Sequence, residues 1–397
     1  MAVAFLLGPR TPEPRSLRRE RQTSDRDFAL ERSRSGIPRA LGSVAANGRK
    51  VAGVSMPTAP LVSAVRRSLD AAGLSRPGIG VVAALSGGPD SVALLDALLR
   101  ASRKSGVVVV AAHLDHALRS DSRADAQFCE ELCEQLKVRL RTGRKRPSAK
   151  AHREGGLEEA ARLARYSFLR RVAREEHASA IVLGHTLDDQ AETVLMRLLR
   201  GSGSLGLSAM KAWDGELLRP LLPIRRAGVM AHIMTHRLPY RSDSTNTDPA
   251  FLRNRVRQEL IPLIERRFNP NIAEALGRTA STLAEEHAAL RGVAAELLDR
   301  CQAPALQGVA LELSVLKGVP EGLGKTALRE ALRRFGGLRS VSHIHIEKLW
   351  GIVVSGRGGS SLPLPGGRHA QVRLGRLTLQ GAPGKDRVDS RERPFLS

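Results

Sequence analysis

From residue 60 onward the apolar positions switch back and forth between two spacings. Residues 61–72 carry apolar side chains at helical intervals, which predicts an amphipathic helix. Gly80-Val-Val-Ala-Ala-Leu85 is an unbroken apolar run closed by glycines, the pattern of a strand buried on both faces. Residues 90–101 return to helical spacing, with Val92, Leu94, Leu95, Leu98 and Leu99 on the buried side. Residues 107–114 predict a second buried strand, 122–136 a helix, 138–142 a third strand and 157–177 a long helix. Residues 180–183 and 188–199 add one more strand and one more helix. Strand and helix in this rhythm predict an α/β fold: a parallel sheet with helices on both faces.

Beyond residue 200 the pattern loosens. Residues 201–206 are rich in Gly and Ser and predict a mobile loop over the site. Residues 211–250 contain Pro220, Pro223, Pro239 and Pro249 and suggest an inter-domain connection. Helical spacing resumes over 251–300 and 321–355, and residues 362–379 suggest turns and short strands. Four parts are therefore expected. Residues 1–55 are a disordered basic arm or a mis-called start, since Met56 directly precedes the first helix. A transit peptide is a third option, and five acidic residues argue against it. Residues 56–245 form a catalytic domain, 246–380 a smaller, mainly helical domain, and 381–397 a disordered tail.

Charge changes the picture. The 397 residues hold 63 Lys and Arg against 40 Asp and Glu, a net charge of +23. The arm contributes 11 basic and 5 acidic residues, so the excess belongs to the rest of the chain. Such an excess favours a polyanionic partner, and nucleic acid is the usual one. Aromatics make up only 3% of the chain, which argues against a platform that stacks single-stranded bases. The three cysteines, Cys129, Cys133 and Cys301, form no CxxC pair. A disulfide framework or a four-thiolate metal site is implausible, and a reducing cytoplasm fits. No run approaches the roughly 18 apolar residues that span a bilayer.

The chemistry concentrates at Ser86-Gly87-Gly88-Pro89-Asp90-Ser91, between a strand and a helix. Glycines there let backbone amides approach an anion, and the helix start presents free N–H groups and a positive dipole end. Ser86 and Ser91 add hydroxyls. Asp90 is anionic, so it suits Mg²⁺ between phosphates better than phosphate itself. The rival is a plain glycine turn with Asp90 or Ser91 as helix cap. No Lys precedes the second Ser, so this is not a Walker A loop.

Ser86-Gly-Gly-Pro-Asp-Ser91 resembles the signature of the PP-loop ATP pyrophosphatases. Four further segments narrow the resemblance. They are His113-Leu-Asp-His-Ala-Leu-Arg119, Leu157-Glu-Glu-Ala-Ala-Arg-Leu-Ala-Arg-Tyr166, the stretch from Gly184-His-Thr-Leu-Asp-Asp189 to Gly203, and Arg219-Pro-Leu-Leu222 with Asp243 to Arg257. Over about residues 80–265 they closely resemble the tRNA(Ile)-lysidine synthetase family. The resemblance implies two steps. The C2 oxygen of the wobble cytidine in a CAU-anticodon tRNA(Ile) takes AMP from ATP, releasing pyrophosphate. Free L-lysine then attacks C2 through its ε-amine, AMP leaves, and the tRNA reads AUA in place of AUG. Longer family members carry a further terminal domain that this chain lacks or only begins, and the arm is also a departure.

The implied roles map onto numbered residues. Residues 86–91, with Gly184, would bind ATP. Asp90 and Asp189 would hold Mg²⁺. His116 or His185 can contact phosphate or move a proton, and His113 is divided between such work and a strand-end turn. Asp115, Asp188 and Asp189 lie at strand ends, the ligand edge of an open parallel sheet, where one can receive the lysine amine. Capping is the rival for Asp188, and a solvated charge is the rival for Glu192. Arg162 and Arg165 share a face near Tyr166, for phosphate, tRNA or a salt bridge. Arg197 and Arg200 suit a basic lip for the anticodon loop. Arg253 and Arg257 share a helix face that fits either the tRNA backbone or an inter-domain acid. A homodimer is compatible with the sequence. The rival readings are a tRNA thiolase, which needs reactive cysteines or an iron–sulfur cluster, and a non-catalytic nucleotide- or RNA-binding module.

Overall fold

The computed structural model describes residues 60–115, 122–145, 149–241, 251–303, 308–338 and 340–381. The arm, His116, residues 243–250 and the tail from 382 lie outside them.

The first half contains α1 (Pro60–Ala71), β1 (Gly80–Ala84), α2 (Pro89–Ser105), β2 (Val108–Asp115), α3 (Ser122–Leu136), β3 (Arg139–Arg144), α4 (Ala149–Glu175) and β4 (Ala180–Val182). These are followed by α5 (Leu187–Leu199), α6 (Ser204–Leu207), β5 (Leu217–Leu218) and α7 (Arg226–His236). The five strands form one parallel sheet in the order β3-β2-β1-β4-β5. Side chains alternate faces along a strand, and here both faces are buried. Val81 and Ala83 join a core with Leu94, Leu95 and Leu98 of α2, Leu61 and Leu69 of α1, and Val229 and Ile233 of α7. Val82 and Ile181 point the other way, into a core with Phe168, Leu169 and Val172 of α4. Each fully buried Leu contributes about 1.5–3 kcal/mol, which fixes the helices against the sheet and the loops above it.

The second half contains α8 (Leu252–Arg255), a π-helical turn (Val256–Leu260), α9 (Ile261–Arg267) and α10 (Ile272–Cys301). Then come β6 (Gln302–Ala303), β7 (Val309–Glu312), α11 (Leu313–Lys317), α12 (Glu321–Gly336) and α13 (His343–Ser355). The last elements are β8 (Ser361–Leu364), β9 (Arg368–Arg373) and β10 (Arg376–Gln380). Its strands form an antiparallel sheet, β6-β7-β10-β9-β8, over a separate core that includes Leu298, Leu328, Leu349 and Leu377. Leu187, Ala191 and Leu195 of α5 pack with Val256, Ile261 and Ala273, so the two halves share an apolar seam.

Three sequence expectations change. Residues 211–241 are not merely a connection: β5 completes the parallel sheet and α7 covers its core. Two residues of strand are too few to show a period, and the prolines masked them. Residues 201–206 are not an open loop. Ser204–Leu207 is a helical turn, tied down by Arg197 Nη1 donating to Gly206 O (2.6 Å) and by the Gln190 side chain pairing both ways with the Met210 backbone. The C-terminal region is mainly helical as expected, but it also holds β6 and β7, which are too short to read from the pattern. Among the described residues, no helix is long and apolar enough to cross a membrane.

Candidate active site

The strand order reverses at β1, with β2 and β3 on one side and β4 and β5 on the other. In open parallel sheets the crevice beyond the strand carboxyl ends at such a reversal is where ligands bind. Two loops meet there: residues 85–88 leaving β1 and residues 183–186 leaving β4. Their contact is close. A Cβ on Gly184 would lie 2.9 Å from the Asp90 carbonyl oxygen, so only glycine fits. Gly87 has φ +85°, a left-handed conformation that a side chain would strain.

The two serines close the phosphate loop. The Ser86 amide donates to Ser91 Oγ (3.1 Å), Ser91 Oγ donates to Gly88 O (2.9 Å), and the two hydroxyls lie 3.1 Å apart. No side chain caps α2, and Pro89 opens it. The helix start is thus left to attract an anion. Asp90 Oδ2 accepts from Arg226 (3.3 Å), while Oδ1 is buried without a hydrogen-bond partner. Burial raises the Asp90 pKa, and the Arg226 guanidinium opposes the shift.

Asp189 is more crowded. Thr186 Oγ1 accepts from the Asp189 amide (3.4 Å), and Asp189 Oδ2 accepts from the Thr186 amide (2.9 Å) and hydroxyl (3.0 Å), a capping box on α5. Its Oδ1 accepts from Arg253 (3.0 Å) and Arg257 (3.3 Å), with Arg226 at 3.7 Å. Burial works against its charge, but Arg253 and the Thr186 amide prevail and hold the pKa below the usual range. Glu192 is not a solvated charge. Its side chain is 1% exposed and accepts from Arg253 Nε (2.8 Å), Arg257 Nε (2.5 Å) and Arg257 Nη2 (2.9 Å). Asp188 accepts from the Arg226 amide (2.7 Å) and from Arg225 (3.2 Å), which also pairs with Glu265 and Glu274.

His185 follows β4 and lies beside this cluster. Burial pushes its pKa down to about 4, so it is neutral at pH 7, and its Nδ1 has no hydrogen-bond partner. His113 Nδ1 lies 3.0 Å from the Leu85 carbonyl, which only accepts, so that nitrogen carries the proton. Asp115 ends β2 and pairs with Arg144 (3.2 Å). Arg162 reaches Glu159 (2.9 Å) and the Tyr166 ring, both on its own helix, and Arg165 also stacks on Tyr166. Arg197 holds α6, and Arg200 caps α5 as an exposed side chain. The structure thus gathers Ser86–Ser91, Gly184, His185, Asp188 and Asp189 with Arg253 and Arg257. It does not bring Arg162 into that network. Arg225 and Arg226 escaped sequence reading; their one signal was a basic pair opening a helical pattern after Pro223.

The PP-loop domain family matches this chain over residues 62–264. This places the fold and its switch-point loops in the class of PP-loop proteins. The tRNA(Ile)-lysidine synthase of Geobacter sulfurreducens is 40% identical over 74% of this chain and 63% of its own length. That of Thermobifida fusca is 37% identical over 83% of this chain and 99% of its own length. The chain belongs to the tRNA(Ile)-lysidine synthase family. It spans 63% and 60% of the Geobacter sulfurreducens and Symbiobacterium thermophilum relatives. Among solved structures, the U34-tRNA thiolase NcsA from Methanococcus maripaludis aligns with a TM-score of 0.48 at 18% identity, over 57% of this chain and 80% of that one.

Proposed function

We propose that the chain ligates L-lysine to C2 of the wobble cytidine of a CAU-anticodon tRNA(Ile), using ATP and releasing AMP and pyrophosphate. The observation that carries this reading is the phosphate loop at the sheet's switch point, with a buried, unpartnered Asp90 oxygen beside it. The amides of residues 86–91 and the start of α2 would hold the pyrophosphate portion of ATP. The lone oxygen of Asp90 fits a hard cation, and Mg²⁺ bound there would offset phosphate charge. Asp189 fits less well, because both its oxygens already serve the capping box and three arginines.

Lysine must lose a proton before its amine attacks. At a pKa of about 4, His185 is too weak a base to take that proton, and its unpartnered Nδ1 would instead hydrogen-bond phosphate or substrate. Arg253 and Arg257 act by fixing Asp189 and Glu192 at the site edge; Arg197 likewise holds α6, and the exposed Arg200 is left for the anticodon loop. A cytoplasmic enzyme fits the cysteine usage, and the chain is compatible with a homodimer. The thiolase reading is disfavoured because Cys129 and Cys133 are buried, with thiols pushed up to about 12 and about 11 by burial.

The test is incubation with ATP, labelled lysine and tRNA, then digestion to nucleosides. Labelled lysidine is expected; its absence with the correct tRNA overturns the reading. Asp90→Ala should lower pyrophosphate release by ~10²–10³-fold while tRNA binding persists. Equal loss of both would make Asp90 a support of the fold.

A further inference from the structure

Away from the phosphate loop, α2 and α7 meet along a second polar cluster. Asp96 of α2 faces His232 and His236 of α7. One ligating atom from each of the three lies within 4.8 Å of the others. The two imidazoles are one helical turn apart on one face and pack edge to face, their centroids 4.4 Å apart. Asp96 is 6% and His232 2% exposed at the side chain, so the cluster lies in the helix interface. His236 is half-buried, and Arg100 beside it is 38% exposed, which leaves a way in from solvent.

Part of the cluster's hydrogen-bonding capacity is unused. Asp96 Oδ2 accepts from His232 Nε2 (2.7 Å) and from Arg100 Nε (2.7 Å). His232 Nδ1 and His236 Nε2 are buried without partners. Unpartnered imidazole nitrogens are costly in a core; His232 turns Nε2, not its open Nδ1, to Asp96, so Nε2 would ligate once its hydrogen bond to the carboxylate yields. His236 is held neutral, since burial and the nearby Arg100 and His232 lower its pKa. Burial opposes the Asp96 charge, but hydrogen bonds from His232 and Arg100 keep it ionised.

We infer that Asp96, His232 and His236 form a binding site for one divalent transition ion of the zinc class. Two imidazoles and a carboxylate are the donors such ions prefer, whereas Mg²⁺ and Ca²⁺ prefer all-oxygen sites. Three protein ligands leave a fourth position for water. Arg100, on a flexible and exposed stem, swings into solvent as the ion takes its place at Asp96.

The site has a reach beyond itself. Asp90 pairs with Arg226 and Asp96 with His232 across the same offset of 136 residues, so α2 and α7 run parallel and in register. Six residues separate the two pairs, about 9 Å along the helices. An ion there pins the helix that carries Asp90 to the helix that carries Arg226.

The experiment uses the full chain, stripped with a chelator and titrated with Zn²⁺ and with Co²⁺. One ion per chain is expected, with a rise in the unfolding temperature and visible Co²⁺ bands. His236→Ala, which spares the Asp96–His232 hydrogen bond, should weaken binding at least ~10-fold. His287→Ala, which removes another unpartnered imidazole Nε2, on α10, should leave it unchanged. No uptake by the stripped wild type, or uptake unaltered by His236→Ala, overturns the site. If His236→Ala fails to fold, X-ray absorption of the zinc-loaded wild type decides. Two imidazoles with oxygen support the site, and fewer than two reject it.

Discussion

The edge of the parallel sheet and the C-terminal antiparallel unit differ in how much they lean on buried charge. At the edge, Glu192 is 1% exposed and shared by Arg253 and Arg257, and Asp189 is held by three arginines. In the C-terminal unit, Arg334–Asp299 is exposed at both ends and Arg376–Glu312 is partly exposed, while Leu328, Leu349 and Leu377 are fully buried. Its one comparable acid among the described residues is Glu330, buried between Arg291, Arg333 and Arg334. An exposed pair adds little, but a buried charge that loses its partner is costly. The C-terminal unit is therefore held chiefly by its apolar core, with the Glu330 cluster at its margin. The site edge is held by a network in which each charge depends on the next, which fixes its groups rigidly in place.

Breaking the buried network should show the largest effect. Glu192→Ala leaves two guanidiniums facing Asp189 alone and is expected to cost about 3–5 kcal/mol in urea unfolding. A cost below 1 kcal/mol would erase the contrast between the two regions. The next effect is pH. His185 has a folded pKa of about 4 and an ordinary value of 6.5. As pH falls from 6.5 to 4 the unfolded chain takes up a proton that the folded state refuses, so stability falls across that window. The loss is bounded by about 3.5 kcal/mol, at ~1.4 kcal/mol per unit, and His185→Asn should remove that part of the slope. A variant with an unchanged pH profile would show that another group carries the dependence.

Gly184→Ala presses a methyl group toward the Asp90 carbonyl. A cost of about 1–3 kcal/mol is expected, with weakened ATP binding as the phosphate loop shifts. Tight ATP binding in this variant would mean that the two loops do not need their close contact. The smallest effect belongs to the C-terminal unit, where Arg376→Ala should change stability by under ~1 kcal/mol in the same urea assay.

The phosphate loop was legible because its cues are local. A buried apolar run, two glycines, a proline and a helical pattern stand side by side in the chain. The strands β1, β2 and β4 and the helices α2 and α5 were legible for the same reason. Arg226 was not, because its partners Asp90 and Asp189 lie far away in the chain and no periodicity links them. Glu192 looked like a surface charge because its spacing says which face of α5 it occupies and nothing of what covers that face. The strand β5 was hidden by its length of two residues.

The sequence by itself determined the alternating α/β pattern, the anion-binding corner at residues 86–91 and the family the chain resembles, since each is written in contiguous residues. Tertiary structure alone decided which acids are buried, which arginines hold them and that α7 lies parallel to α2. These depend on the reversal of strand order at β1 and on the seam between α5 and α10. They bring together groups that no local spacing connects.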